Sequence, residues 1–453
     1  MECLFYFDIS CPYAYIASTR VEAIAKFSGV NIVWTPVLLG GLYRFADAPQ
    51  GKDGSAITAV PSARKPFTRQ ALQTDILRYN INLSTPSAHP LSTVKAQRLL
   101  CSFPPGQRIL LAKRLFSAYW HDNLDITSPS ILLWIVQELD INSSSYDISE
   151  TVFDNNTLRE ILWSNTETAF KHGAFGVPSF YIPKSGTFLF GQDRMHILQA
   201  KLFSLNTGLP LSKVPDLKNF YPRCIGPPHH NKAQLTPRTL IFWFDFSSPW
   251  SYLGWTQLER LQREHSNVHI EMRPVLVGAL FKMIGTPLVP MEVLSVNAQN
   301  NVKLDLQEWS DYWSAVNEQE MPPLSPVNAC WPSTFPLRSV LALRVALSND
   351  DTVACIFRAA WRDDVNISNQ ETLKQVLNNN GFDGETLVHA ACTSNSLKSK
   401  LQENTAQAKQ LGLCGVPTFQ IDTHFEFGQD RINVVQDLLD GWSPKVFKLD
   451  PKL

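Results

Sequence analysis

Two short stretches place a small nucleophile-type side chain directly ahead of a proline: Ser10-Cys11-Pro12-Tyr13 and Ser247-Ser248-Pro249-Trp250. A helical pattern follows each proline, and proline is well accepted in a first helical turn because its missing N–H would lack an acceptor there anyway. The free amides and dipole of a helix start favour an anion, so a thiol held at Cys11 or near Ser248 would ionise more readily. Two blander roles fit the same positions: a helix N-cap for Ser248, and a thiol packed as a small hydrophobe for Cys11. Cys11-Pro12-Tyr13-Ala14 keeps the first cysteine of a CPxC redox motif and puts Ala14 in place of the second, which excludes a two-cysteine cycle within the motif. The eight cysteines are scattered and none form a CxxC pair, an argument against a zinc ribbon, a dithiol centre or a dense disulfide scaffold, and for a reducing compartment. His89, His172 and the other histidines have no metal-ligand spacing, so no metal site is expected.

These stretches belong to a repeat. Phe5-Tyr6-Phe7-Asp8 recurs as Phe242-Trp243-Phe244-Asp245, and Trp34-Thr35-Pro36-Val37 as Met272-Arg273-Pro274-Val275. Trp120 with Asp125-Ile126-Thr127 recurs as Trp361 with Asn366-Ile367-Ser368. Gly176-Val177-Pro178 recurs as Gly415-Val416-Pro417, and Phe190-Gly191-Gln192-Asp193-Arg194 as Phe427-Gly428-Gln429-Asp430-Arg431. Five blocks in one order at nearly constant offset mean duplication. The copies are placed at 1–206 and 238–443, with a proline-rich linker without a core of its own at 207–237 and a tail at 444–453. Each copy reads as a strand (4–7 or 240–244), a helix, a second strand (30–37 or 268–275), a long helical stretch, then two strands and a helix opening at Gln-Asp-Arg.

The chain has 453 residues, a formal net charge of −1, 44% hydrophobic and 18% charged residues, which suits a globular protein and gives no support for a nucleic-acid partner. No apolar run reaches the roughly 18 residues of a membrane helix. Met1-Glu2-Cys3-Leu4 lacks the basic start of a secretory signal. Pro451-Lys452-Leu453 resembles the peroxisomal address, with Pro where Ser is preferred, or is an accidental ending.

Both copies resemble the family that joins kappa-class glutathione transferases with 2-hydroxychromene-2-carboxylate isomerases, within the wider DsbA-like thioredoxin group. The resemblance rests on FxFDxxSP, GVP and FGQDR, in that order, twice. It implies an α/β fold of two thioredoxin-like domains, each with a helical insertion, and an intrachain pseudo-dimer in place of the family's homodimer. It implies glutathione as cofactor, with the Ser248 hydroxyl bonded to its sulfur. Cys11 departs from this pattern, and either engages glutathione as a mixed disulfide or is simply buried. Val177-Pro178 and Val416-Pro417 resemble the cis-proline whose preceding residue pairs with an extended peptide. Gln192-Asp193 and Gln429-Asp430 would hold the γ-glutamyl carboxylate and amino group, or merely cap helices.

In a looser match, Ser55 and Arg64 fall where the family carries an asparagine and a lysine that hold a carboxylate, with Lys65 alongside. Their counterparts in the second copy are Thr286 and Ala298. The expected activity is glutathione-dependent isomerase or transferase chemistry on a small conjugated or electrophilic substrate, with the second copy catalytic. The rivals are a monothiol disulfide oxidoreductase acting through Cys11 and a non-catalytic scaffold.

Overall fold

The computed structural model describes residues 1–48, 60–224, 237–333 and 339–442. Ser55 and the tail after 442, including Pro451-Lys452-Leu453, lie outside the described residues, as do positions 225–236.

In the first copy, β1 (Glu2–Phe7), β2 (Asn31–Pro36), β3 (Ser179–Ile182) and β4 (Thr187–Phe190) form a sheet in the order β2-β1-β3-β4. β1 runs parallel to β2, with Phe5 opposite Trp34, and antiparallel to β3, with Phe5 opposite Phe180. Phe5, Tyr6 and Phe7 are all buried. A strand apolar on successive residues must be covered on both faces, which forces helices onto each side of the sheet. The second copy repeats the order with β5 (Arg238–Phe244), β6 (Val268–Pro274), β7 (Thr418–Ile421) and β8 (His424–Phe427). The chain is thus α/β, two thioredoxin-like domains, and between the second and third strands of each lies the helical insertion.

The repeated tryptophans fasten that insertion to the candidate site. Trp120 Nε1 donates to Ile9 O at 2.7 Å and Trp361 Nε1 to Phe246 O at 2.8 Å, both buried. Each anchors the turn two residues before Cys11 or Ser248.

The copies meet reciprocally. The Lys65–Arg78 helix of the first copy lies on the β8 end of the second, where Gln70 Nε2 donates to Phe425 O (2.9 Å) and to Glu426 (2.8 Å). The Val296–Gln319 helix of the second copy packs on β4 and on the Met195–Thr207 helix of the first. Arg431 pairs with Asp75 at 3.3 Å and its counterpart Arg194 with Asp305 at 2.7 Å, an exchange expected of a two-fold interface. Around these pairs a single buried apolar cluster runs through both copies, and His196 packs against Trp309 and Tyr312.

This reciprocity fixes a register that sequence matching misses. With Asp75 equivalent to Asp305, Arg64 corresponds to Leu294 rather than to Ala298, a slip of four residues. Loops of unequal length between the second strand and the interface helix account for it. The described part of the linker is packed: Val214 and Leu217 are buried, Tyr312 donates to Leu217 O (2.9 Å) and Gln319 to Val214 O (2.9 Å).

Candidate active site

Ser248 caps the Pro249–Trp255 helix. Its Oγ accepts from Ser251 N at 3.2 Å and donates to Val416 O at 3.3 Å. Ser248 is a half-buried residue. Cys11 stands at the same point before the Pro12–Ser18 helix, its Sγ donating to Val177 O at 3.1 Å. Both Val177-Pro178 and Val416-Pro417 bonds are cis, and each brings its carbonyl to the helix start of its own copy.

The thiol does not have the lowered pKa its position suggests. Cys11 is only 7% exposed, and burial pushes its pKa up to about 12. The amides of Ala14 and Tyr13 pull the other way and are outweighed, while the charge of nearby Asp8 raises it further. The protein alkylated while folded should therefore be modified at exposed Cys392 and spared at Cys11, with Cys11 reacting only on unfolding. Peptide mass mapping after brief iodoacetamide treatment reads this directly, and rapid modification of Cys11 in the native state would contradict it.

Asp8 and Asp245, shared by both copies of the first motif but given no role from sequence, prove to organise the turn. Asp245 accepts from Ser247 N (2.9 Å), Ser339 Oγ (2.5 Å) and Val277 N (2.9 Å). Asp8 accepts from Ser10 N (3.0 Å), Thr93 Oγ1 (2.7 Å) and Leu39 N (2.8 Å). Each buried carboxylate thus joins the turn, the helix after the second strand and the helical insertion. Burial pushes the pKa of both up while these donors pull it down.

The other two motifs are linked to each other. Pro178 O accepts from Gly191 N and Pro417 O from Gly428 N, both at 2.9 Å. Gly191 and Gly428 have φ of 100° and 104°, and a Cβ there would lie 2.3 or 2.4 Å from Oδ1 of Asp193 or Asp430. Only glycine lets these carboxylates fold back against the hairpin end. Gln192 and Gln429 begin short 3₁₀ turns and are buried, Gln192 Nε2 donating to Asp75 (2.7 Å) and Gln429 Oε1 accepting from Trp313 (3.0 Å). Neither Asp193 nor Asp430 caps a helix. Both instead accept from one group, Arg194 Nη1, at 2.5 and 3.0 Å.

Arg64 reaches the second copy. Its guanidinium lies over the ring of Phe427, 5.5 Å from the centroid, and its charge acts on Cys414 in the loop that leads to Val416. Phe427 packs against Gly415, so the exposed cation of the first copy stands beside the Ser248 half of the molecule. The second copy, read from sequence as lacking a cation, thus has one of the first copy's cations over its Phe427 ring. The copies differ also near these helix starts, since Tyr13 and Tyr43 correspond to Trp250 and Phe281.

A hydroxyl (Ser248) or thiol (Cys11) at a helix start, a backbone edge at a cis-proline and a carboxylate at a hairpin end recur together in each copy. The DSBA-like thioredoxin domain matches residues 3–203 and again residues 239–440. The chain belongs to the DSBA-like thioredoxin family. It is a tandem duplicate within that family, and individual relatives match about half of it. Glutathione S-transferase kappa 1 of Caenorhabditis elegans is 25% identical over 219 residues, 45% of this chain and 91% of the relative. The 2-hydroxychromene-2-carboxylate isomerase of Sphingobium xenophagum is 25% identical over 206 residues, 45% of this chain and 98% of the relative. Among solved structures, a 2-hydroxychromene-2-carboxylate isomerase aligns with 21% identity over 46% of this chain and 99% of its own, with a TM-score of 0.38. A probable DsbA oxidoreductase from Streptomyces coelicolor aligns with 16% identity, 46% and 90% coverage and a TM-score of 0.37.

Proposed function

We propose that this protein is a glutathione-dependent isomerase or transferase acting on a small conjugated or electrophilic substrate, with the Ser248 pocket as its catalytic site. The observation that carries this reading is the contrast at the two helix starts: a half-buried serine at 248, a buried cysteine at 11. The residues present fit glutathione as an extended tripeptide. Backbone at Val416-Pro417 offers an edge for its peptide units, as Val177-Pro178 does in the first copy. Asp430 offers a carboxylate for its amino group, and the start of the turn at Gln429 offers amides for its γ-glutamyl carboxylate. Arg64 supplies a cation for a carboxylate of glutathione or substrate from across the interface.

When bound, glutathione would supply a thiolate, which adds to a conjugated double bond and leaves again in isomerisation, or displaces a leaving group and stays in transfer. The protein's part is to favour that thiolate. Ser248 Oγ–H can turn from Val416 O, a long bond at 3.3 Å, to a sulfur anion, while its lone pair stays occupied by Ser251 N–H. The dipole of the helix that begins at Pro249 acts in the same sense. Buried Asp245 fixes where that hydroxyl stands.

Glutathione mixed with the purified protein below the pKa of its free thiol should show the ultraviolet absorbance of a thiolate, and that band should vanish in Ser248→Ala. Binding without the band would leave a carrier rather than an enzyme. No binding at all would remove the reading.

A further inference from the structure

The first helix of the insertion is fastened to the sheet differently in the two copies. In the first copy, the Val94–Cys101 helix has two ties. Thr93, just ahead of it, donates to Asp8 at 2.7 Å. Buried Gln97 donates from Nε2 to Phe7 O at 2.8 Å and to Val37 O at 2.7 Å, at the ends of the two parallel strands. In the second copy, the Val340–Ser348 helix has Ser339 in place of Thr93 and buried Leu343 in place of Gln97. Leucine has no donor to offer. Among the described residues, the bond from Ser339 Oγ to Asp245 Oδ1, at 2.5 Å, is then the one hydrogen bond from this helix and its cap to the strands and the turn. The same Oδ1 accepts from Ser247 N at 2.9 Å, and Asp245 O accepts from Ser248 N at 3.1 Å. Ser339 is 1% exposed, so water does not compete for this bond.

We propose that Ser339 is a positioning residue for the Ser248 site: through Asp245 it holds the turn so that the Ser248 hydroxyl meets a bound sulfur anion. This deepens the glutathione reading and rests on it. The Ser248 hydroxyl has little freedom, because Ser251 N–H occupies its lone pair and its proton must swing from Val416 O to the sulfur. A turn that drifts spoils the angle of that new bond, and hydrogen bonds weaken steeply as they bend. Charge acts in the same direction. In the first copy the carboxylate of Asp8 works against an anion at Cys11. Asp245 stands at the equivalent place, and the Ser339 hydroxyl draws part of its charge toward the insertion. The first copy divides this fastening between Thr93 and Gln97, whereas the second leaves it to Ser339.

The readout is the ultraviolet band of the thiolate on bound glutathione, followed against pH at saturating glutathione. Ser339→Ala should move the midpoint of that titration up by about one pH unit, a tenfold weaker preference for the thiolate. S-methylglutathione, which has no thiol to ionise, should bind the variant as tightly as the wild type. Ser339→Thr should restore the midpoint, since Thr93 makes the same bond at the same place in the first copy. Should the alanine variant melt early, Ser339→Val set against Ser339→Thr carries the comparison, because the two differ in the hydroxyl alone. An unmoved midpoint, or one that threonine fails to restore, overturns the positioning role. So does an equal weakening of S-methylglutathione, the mark of a residue that only supports the fold. A wild type that binds glutathione without the band, or does not bind it, overturns instead the function beneath this proposal.

Discussion

Ser248→Ala is expected to lower turnover at saturating glutathione by roughly 10²-fold, the usual cost of removing one hydrogen-bond donor from a developing or bound anion in a catalytic site. Cys11→Ala is expected to leave turnover near that of the wild type. The two residues occupy equivalent points of equivalent domains, so the contrast isolates what the side chain and its surroundings contribute. Ser248 needs no ionisation of its own, because a neutral hydroxyl can donate to a thiolate at any pH where the thiolate exists. Cys11 would need to become an anion in order to act as a nucleophile, and burial with the nearby Asp8 charge pushes its pKa up to about 12. Saturating glutathione matters to the design, since it hides any loss of affinity and leaves the effect on thiol ionisation in kcat. If Cys11→Ala abolishes turnover and Ser248→Ala spares it, the catalytic copy is the first. If neither substitution matters, the enzyme reading fails.

The legible and illegible parts of this molecule divide along a physical line. The strands, the helix starts and the hairpin ends were visible because they are local. Pro249 after Ser248, Gly428 before Asp430 and the apolar run at 240–244 each act within a few residues. The duplication made every such signal count twice. The interface between copies could be expected from the duplication, but not its register, because the loop between second strand and interface helix differs in length and carries little pattern. That is why Arg64 was matched to Ala298, while the structure sets it against Phe427 of the other copy. Sequence leaves the two readings of Cys11 open for a related reason. The helix start, a sequence-local feature, lowers it, whereas burial depends on everything packed around it and dominates. Asp8 and Asp245 could have been found, since each repeat preserves them beside the nucleophile position. Their partners Thr93 and Ser339 lie far along the chain and only the fold brings them in.

Arg431→Ala should destabilise the protein by about 3 kcal/mol, at the lower end of the range for removing one partner of a buried ion pair. The side chains of Arg431, Asp75 and Glu426 are 9%, 3% and 4% exposed, so water cannot replace the lost guanidinium. Asp75 would keep Arg78 at 3.2 Å and Gln192, and Glu426 would keep Gln70 and His424, which limits the loss. Burial raises the pKa of Glu426, but the His424 hydrogen bond and the Arg431 charge outweigh it and hold the carboxyl below its ordinary value. A depressed carboxyl pKa stabilises the fold above its unfolded value and ceases to do so as the pH falls through the folded one, so part of the wild type's advantage over the alanine variant should fade in acid. The decisive comparison is the double change Arg431→Met with Glu426→Leu. It restores at 426 the leucine of the first copy, leaves no uncompensated glutamate, and should recover most of the stability, because a buried pair replaced by apolar groups of similar size is often neutral. Urea unfolding followed by tryptophan fluorescence measures all three proteins. A loss below about 1 kcal/mol for Arg431→Ala would place the strength of this interface in its apolar packing, with the ion pairs fixing register alone.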